Sequence, residues 1–229
     1  MIRPSDQPIR VTSYVHAFEV AGEPVVLLSH RALFMPRCST LVVADLHWGK
    51  AATFRARGIP LPAGVTQHDL DRLTAVLRET AAERLIIVGD LLHAKAGRSV
   101  ATFQTIALWR ESHRELDVVL VRGNHDTHAG DPPPEWNIRC VNGPLLVGGF
   151  ALQHHPGQHS THYVIAGHLH PHATVRGPAR QVLKLPCFAF GERGAILPAF
   201  TSFTGGGAYE PALGDRLFVI ADGDVIAAG

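Results

Sequence analysis

Three short apolar runs, TLVVAD at 40–45, RLIIVGD at 84–90 and DVVLVRG at 117–123, each stop at a polar residue or a glycine. Runs of this length, dense in Val, Ile and Leu, read as strands buried on both faces, and the segments between them carry a helical period. In the first such segment Leu70, Leu73, Val76 and Leu77 fall on one face, and Thr66 and Asp69 are spaced as a capping box. The second opens at Ser99, a good N-cap, and turns Phe103, Ile106 and Ala107 inward. The pattern predicts a βαβαβ unit with parallel strands.

Around that unit the rhythm changes. YVHAFEV and PVVLLS flank the turn residues of AGE and predict an antiparallel strand pair ahead of it. Beyond Gly143 the helical period disappears: PLLVGGFALQHH reads as a hairpin turning at Gly148 and Gly149, YVIAGHLH as a strand, and RLFVIADGDVIAA as a hairpin turning at Asp222 and Gly223. The expected fold is a layered α/β sandwich of two packed mixed β-sheets flanked by helices, the first sheet partly parallel and the second mostly antiparallel. With 229 residues, 46% of them apolar, and neither repeat nor linker, the chain is expected to form one domain over 1–229.

In open α/β sheets ligands bind beyond the carboxyl ends of strands, and polar groups collect there in this chain. The strand ends are Asp45-Leu46-His47, Gly89-Asp90-Leu91-Leu92-His93, Gly123-Asn124-His125-Asp126, His154-His155-Pro156 and Gly167-His168-Leu169-His170. Most are, singly, ordinary turn sequences. His168 and His170 point further, because histidines two apart around a residue facing the other way can share a metal.

Together and in this order, these segments resemble the calcineurin-like binuclear metallophosphoesterases, whose pattern is D-x-H, G-D, G-N-H-[DE], a lone H and G-H-x-H. The resemblance spans roughly residues 41 to 171 and implies two divalent cations. It makes Asp90 the bridge between them, since two close cations repel and an anionic ligand must lie between. Asp45, His47 and His170 would complete the first ion's shell, and Asn124, His154 and His168 the second's, with His154 rather than His155 as the ligand. The nucleophile would be a metal-bridging hydroxide. His125 would face the phosphate and protonate the leaving oxygen, with Asp126 orienting it. His93, where many members carry an acid, and His155 are expected on the substrate side. Imidazole, carboxylate and amide ligands suit manganese first, with iron or zinc as alternatives.

The stretch LHWGKAATFRARGIPLP sets Lys50, Arg55 and Arg57 near the first ligands, as candidate phosphate contacts. With PCF at 186–188, LPAF at 197–200 and FTGG at 203–206, it resembles the bacterial ligase-associated DNA-damage-response endonucleases, a branch of the same superfamily. That resemblance implies manganese-dependent cleavage of DNA phosphodiesters in repair, in functional association with a DNA ligase, a helicase and an exonuclease. A single strand threads a metal cleft more easily than a duplex, so single-stranded DNA is the expected substrate. The alternatives are a phosphodiesterase or phosphatase of small molecules such as cyclic nucleotides, and a non-catalytic scaffold. Trp48, beside His47, is either a stacking platform for a base or a packing residue.

Charge and cysteine content narrow the setting. Lys plus Arg number 21 against 20 Asp plus Glu, so no overall field grips a polyanion, and DNA affinity should be modest and salt-sensitive. Cys38, Cys140 and Cys187 are odd in number and far apart, which argues against a disulfide framework or a zinc–thiolate site and for a reducing cytoplasm. MIRPSDQPIR has no apolar h-region and no run of about 18 apolar residues occurs, so neither export nor a membrane span is expected. Oligomeric state is left open.

Overall fold

A computed structural model describes residues 15–62, 64–176 and 182–228. The amino-terminal stretch read as lacking an apolar leader, and Tyr14 of the first expected strand, lie outside them. Seven strands form the first sheet, in chain order across it: β1 (Val15–Val20), β2 (Glu23–Leu28), β3 (Ala32–Met35), β4 (Thr40–Ala44), β5 (Arg84–Val88), β6 (Asp117–Val121) and β7 (Ile138–Val141). The first four pair antiparallel, and β4 to β7 pair parallel, joined by α1 (Lys50–Ala56), α2 (Val65–Thr80), α3 (Val100–Ser112) and α4 (Asn124–Ala129). The βαβαβ unit is therefore present, with strands buried on both faces.

Alternation within those strands divides the core. Leu41, Val43, Leu85, Ile87, Val118 and Leu120 face α2 and α3, where Leu70, Leu73, Val76, Ile106 and Trp109 meet them. Val42, Ala44, Ile86, Val88, Val119 and Val121 face the second sheet and pack on Phe150, Leu152, Ile165, Phe188, Phe190 and Phe218. Every one of these side chains is under 10% exposed, so a polar group could leave such a strand only at its end.

The second sheet contains β8 (Leu145–Val147), β9 (Phe150–Leu152), β10 (Tyr163–Ala166), β11 (His172–Arg176), β12 (Val182–Phe190), β13 (Gly194–Ile196), β14 (Arg216–Ala221) and β15 (Asp224–Ala228). Its order is β15-β14-β12-β13-β10-β9-β8, with β11 on β12; β10 runs parallel to both neighbours and the remaining pairs are antiparallel. Both expected hairpins close where anticipated, at Gly148–Gly149 and at Asp222–Gly223. The chain is thus an α/β sandwich of two mixed sheets, with its helices on the outer face of the first. Among the described residues no helix is long and apolar enough to cross a membrane.

Two local expectations are corrected. Ser99 does cap α3, its hydroxyl accepting from Thr102 N, but α2 has no capping box. That helix starts at Val65 behind a left-handed Gly64, which puts Thr66 inside the first turn and leaves Asp69 buried and paired with Arg72. YVIAGHLH is strand only to Ala166; His168 and His170 that follow are left-handed, with φ of 71° and 46°. The basic stretch after His47 forms α1.

Candidate metal centre

The strand-end segments converge at the carboxyl edge of the parallel strands. Backbone bonds zip the first two together: Asp45 N donates to Gly89 O (3.2 Å), His47 N to Asp90 O (2.8 Å), Trp48 N to Leu91 O (2.8 Å) and His93 N to Trp48 O (3.1 Å). Along 45–48 the side chains alternate. Leu46 and Trp48 enter the core, Trp48 edge-on to Trp109 at 6.0 Å, whereas Asp45 and His47 face the cluster. Trp48 is 2% exposed, so it packs and offers no face to a base.

Two groups of ligand-type atoms meet around Asp90. In one, His47 Nε2 lies 3.3 Å from His170 Nε2 and 3.9 Å from Asp90 Oδ2, and His170 Nε2 lies 3.6 Å from Asp45 Oδ1. In the other, His154 Nε2 lies 2.9 Å from Asn124 Oδ1, 3.1 Å from His168 Nδ1 and 3.5 Å from Asp90 Oδ2. One oxygen of Asp90 therefore faces both groups. The other, Oδ1, accepts the His125 amide at 2.9 Å.

The residues fit a pair of cations. Main-chain carbonyls set the ring protons: Val88 O holds His154 Nδ1 (3.3 Å) and Gly205 O holds His170 Nδ1 (3.0 Å), leaving each Nε2 lone pair aimed into the cluster. Neutral imidazoles so oriented oppose acceptor to acceptor, a contact that a cation resolves. Asp45 Oδ1 is buried with no hydrogen-bond partner, an expensive state for a carboxylate oxygen without a counter-charge. Burial pushes the Asp90 carboxyl up and neighbouring Asp45 adds to it, while burial holds His47 down at about 2. His47 is thus neutral and ready to ligate.

The backbone is strained here. Eleven described non-glycine residues have positive φ, and five of them are Asp45, His47, Asp90, His168 and His170. Such conformations cost roughly 1–3 kcal/mol each and persist where the surroundings over-determine them. Space is equally constrained. A Cβ on Gly89 would lie 1.9 Å from His154 Nδ1, and one on Gly123 would lie 2.3 Å from Asp90 Oδ1. Glycine before these ligands makes room for the side chains themselves.

His125 stands at the rim, its side chain 36% exposed, with Nε2 4.0 Å from Asp90 Oδ2. Asp126 does not orient it. Successive residues on a helix do not face each other, and the Asp126 carboxylate turns inward to accept four amides: Gly123 N and Asp90 N at 2.8 Å, Leu91 N at 2.9 Å and Leu92 N at 3.2 Å. The His125 ring is set instead by the His93 carbonyl, 2.7 Å from its Nδ1, and by the His93 ring stacked on it at 4.9 Å. His93 itself is held down at about 4, first by burial and then by His125, Lys50 and Arg57.

The remaining candidates divide. Lys50 reaches Thr204 Oγ1 at 2.8 Å beside His170, and Arg57 is exposed. Exposed His155 packs edge-on to His168 at 4.3 Å, whereas His154 is the buried member of that pair. Arg55 is not drawn to the cluster; it donates to Pro62 O (3.0 Å) on its own loop. Residue reasoning did not single out the carbonyls of Val88, His93 and Gly205, nor Thr204, although FTGG at 203–206 contains two of these.

Comparison with known proteins agrees with this geometry. The family model described as calcineurin-like phosphoesterase matches residues 39–156. Among solved structures, the nuclease MPE of Pseudomonas putida aligns at 42% identity with a TM-score of 0.83, covering 93% of this chain and 100% of that one. YfcE, a phosphoesterase from E. coli, aligns at 16% identity over 82% of this chain and 96% of its own, with a TM-score of only 0.41. A search of curated proteins finds no match.

Proposed function

The chain belongs to the calcineurin-like phosphoesterase family and is a metal-dependent phosphoesterase, and from that premise we propose that it cleaves DNA phosphodiester bonds, preferring single strands. The observation that carries the reading is the meeting of Asp45, His47 and His170 on one side of Asp90 Oδ2, and of Asn124, His154 and His168 on the other, with His125 free at the rim. In this reading those seven residues hold two divalent ions, manganese first. The ions supply Lewis-acid polarisation of the phosphate and a water acidic enough to attack near neutral pH. Asp90 keeps negative charge between the two sites, and His125 has the work of a proton donor.

His125 suits that work. Its Nδ1 is committed to the His93 carbonyl, so Nε2 is the nitrogen free to pass a proton to a departing sugar oxygen. Lys50, half-buried beside His170, and exposed Arg57 are the cations near enough to the cluster to contact flanking phosphates. Few phosphate contacts mean modest, salt-sensitive affinity. A nuclease at 42% identity supports a nucleic acid over a small molecule as substrate. Repair work alongside a ligase, a helicase and an exonuclease completes the proposal and rests on the sequence resemblance, and the cytoplasmic setting rests on the cysteine pattern.

The test compares a single-stranded oligonucleotide, a duplex, a cyclic nucleotide and bis-p-nitrophenyl phosphate in manganese. Turnover of the cyclic nucleotide far above that of the oligonucleotide would replace the DNA reading. With His125→Ala, cleavage of DNA should fall by about 10²–10⁴-fold, since its alkoxide leaving group needs a proton, while the p-nitrophenyl diester should lose less than about tenfold. Equal losses would refute the proton-donor role.

A further inference from the structure

Residues 197–209 tie the two sheets together at the metal centre. Leu197 N donates to Ala166 O at the end of β10 (2.8 Å) and Phe200 N to Ala44 O at the end of β4 (2.7 Å). Further along, Gly205 O lies 3.0 Å and Thr204 Oγ1 3.3 Å from His170 Nδ1. This segment therefore decides which nitrogen of His170 carries the proton, and so which one faces Asp45 and His47.

Three charged side chains outside the cluster fix the segment. Arg31 Nη1 donates to Thr201 O (2.7 Å) and Ala199 O (3.4 Å). Arg72, on α2, donates to Phe200 O and lies over the Phe200 ring at 4.3 Å. Asp69, 2% exposed, pairs with Arg72 at 3.2 Å; burial pushes its carboxyl up and neighbouring Thr201 and Ser202 of the segment pull it back, while the Thr201 hydroxyl accepts from Phe203 N at 3.2 Å. Buried ion pairs of this sort seldom add net stability, because desolvation offsets the attraction; an apolar pair of similar volume would hold α2 as well. What only these groups supply is direction: they fix the three successive carbonyls 199–201, one turn of chain before the residues that reach His170.

We infer that Arg31, Asp69 and Arg72 are positioning residues for the metal that His170 holds, acting through segment 199–205 on the proton placement of that ring. The inference rests on His170 being a ligand, as proposed above. It goes beyond that reading in assigning a role to a buried charge cluster on α2 and the β2–β3 turn.

The experiment is a calorimetric manganese titration of the metal-stripped full chain, run on the wild type, Arg72→Gln, Thr201→Val, His170→Ala and His154→Ala. Arg72→Gln should weaken one of the two binding events by about 10- to 100-fold, the same event that His170→Ala removes. The event that His154→Ala removes should keep its affinity within about threefold. Nitrogen-15 spectra of the apo ring should turn from one His170 tautomer in the wild type to a mixture in Arg72→Gln, a change that general loosening would spread over all the histidines. Variants that bind both ions at wild-type affinity while His170→Ala loses one would overturn the inference. Undiminished binding by His170→Ala would overturn the ligand assignment itself, and this inference with it. Should Arg72→Gln fail to fold, Thr201→Val, which deletes a single hydroxyl, carries the same expectation at about threefold, and no change there is a refutation.

Discussion

Asp126→Asn separates scaffolding from catalysis. The carboxylate accepts two amides on each oxygen: Gly123 and Asp90 on Oδ2, Leu91 and Leu92 on Oδ1. An asparagine of the same shape must turn its NH₂ toward one of those pairs, opposing donor to donor. Each buried amide so orphaned costs about 1–3 kcal/mol, so two cost about 2–6 kcal/mol. Removing a charge that burial disfavours returns part of this, since burial already pushes the Asp126 carboxyl up against the amides that pull it down. A net loss of about 2–4 kcal/mol should lower Tm by roughly 5–15 °C in a chain of this size. Thermal unfolding in chelator measures it without interference from metal. Because Asp90 N is one of the four donors, manganese affinity should fall together with stability. His125→Ala, by contrast, should leave Tm within about 2 °C, as expected of a partly exposed rim side chain outside the core. An Asp126→Asn variant with wild-type Tm and a selective loss of turnover would refute this account and restore Asp126 as the partner of His125.

Three further outcomes follow from the same geometry. Loading two ions at a hundredfold over Kd contributes about 2.7 kcal/mol each, or roughly 10–20 °C in Tm together; Asp45→Asn should remove most of that gain while raising the Tm of the chelated protein, because it relieves the repulsion with Asp90, and an unchanged gain would exclude Asp45 as a ligand. Gly123→Ala sits at a φ of −99° that alanine accepts, yet its Cβ would lie 2.7 Å from Asp90 N, so paired metal binding should be lost through space alone; normal stoichiometry would mean the loop yields. Burial pushes the Cys140 and Cys187 thiols up to about 11, whereas Cys38 is exposed. A raised value keeps a thiol protonated, leaving roughly one in a thousand as thiolate at pH 8, so native protein should titrate one fast thiol with a disulfide reagent and denatured protein three; two fast native thiols would contradict the burial.

The parallel strands were legible because burial on both faces leaves an unbroken apolar run, and the polar residues that cluster were legible because such a run can release a polar residue only at its end. Helix α1 was not, since it buries only Ala51, Ala52 and Thr53, side chains too small to mark a hydrophobic period. The start of α2 was misread because Thr66 and Asp69 satisfy the spacing of a capping box, and spacing carries no information about a left-handed glycine two residues earlier. In the centre, the candidate side chains could be read off, but the groups that set their ring protons could not. Those are the main-chain carbonyls of Val88, His93 and Gly205, and every residue type has a carbonyl.

The same limit explains the alternation at 45–48. In-and-out alternation there imitates a continuing strand, with Leu46 and Trp48 inside and Asp45 and His47 on the site. The backbone reaches that result in another way, by left-handed turns at Asp45 and His47 (φ 55° and 46°) and again at His168 and His170. A continuing strand would carry its side chains away along a line at about 3.3 Å per residue. Left-handed residues two apart instead curl the chain so that both polar side chains meet at one point, and aspartate tolerates such a conformation better than branched residues do. Strain at those positions is therefore the local condition for convergence. It also accounts for the buried donors on Asp126 and for the bonds from Gly205 and Val88: a loop held in an unfavourable conformation needs that many fixed partners to remain there when no cation is bound.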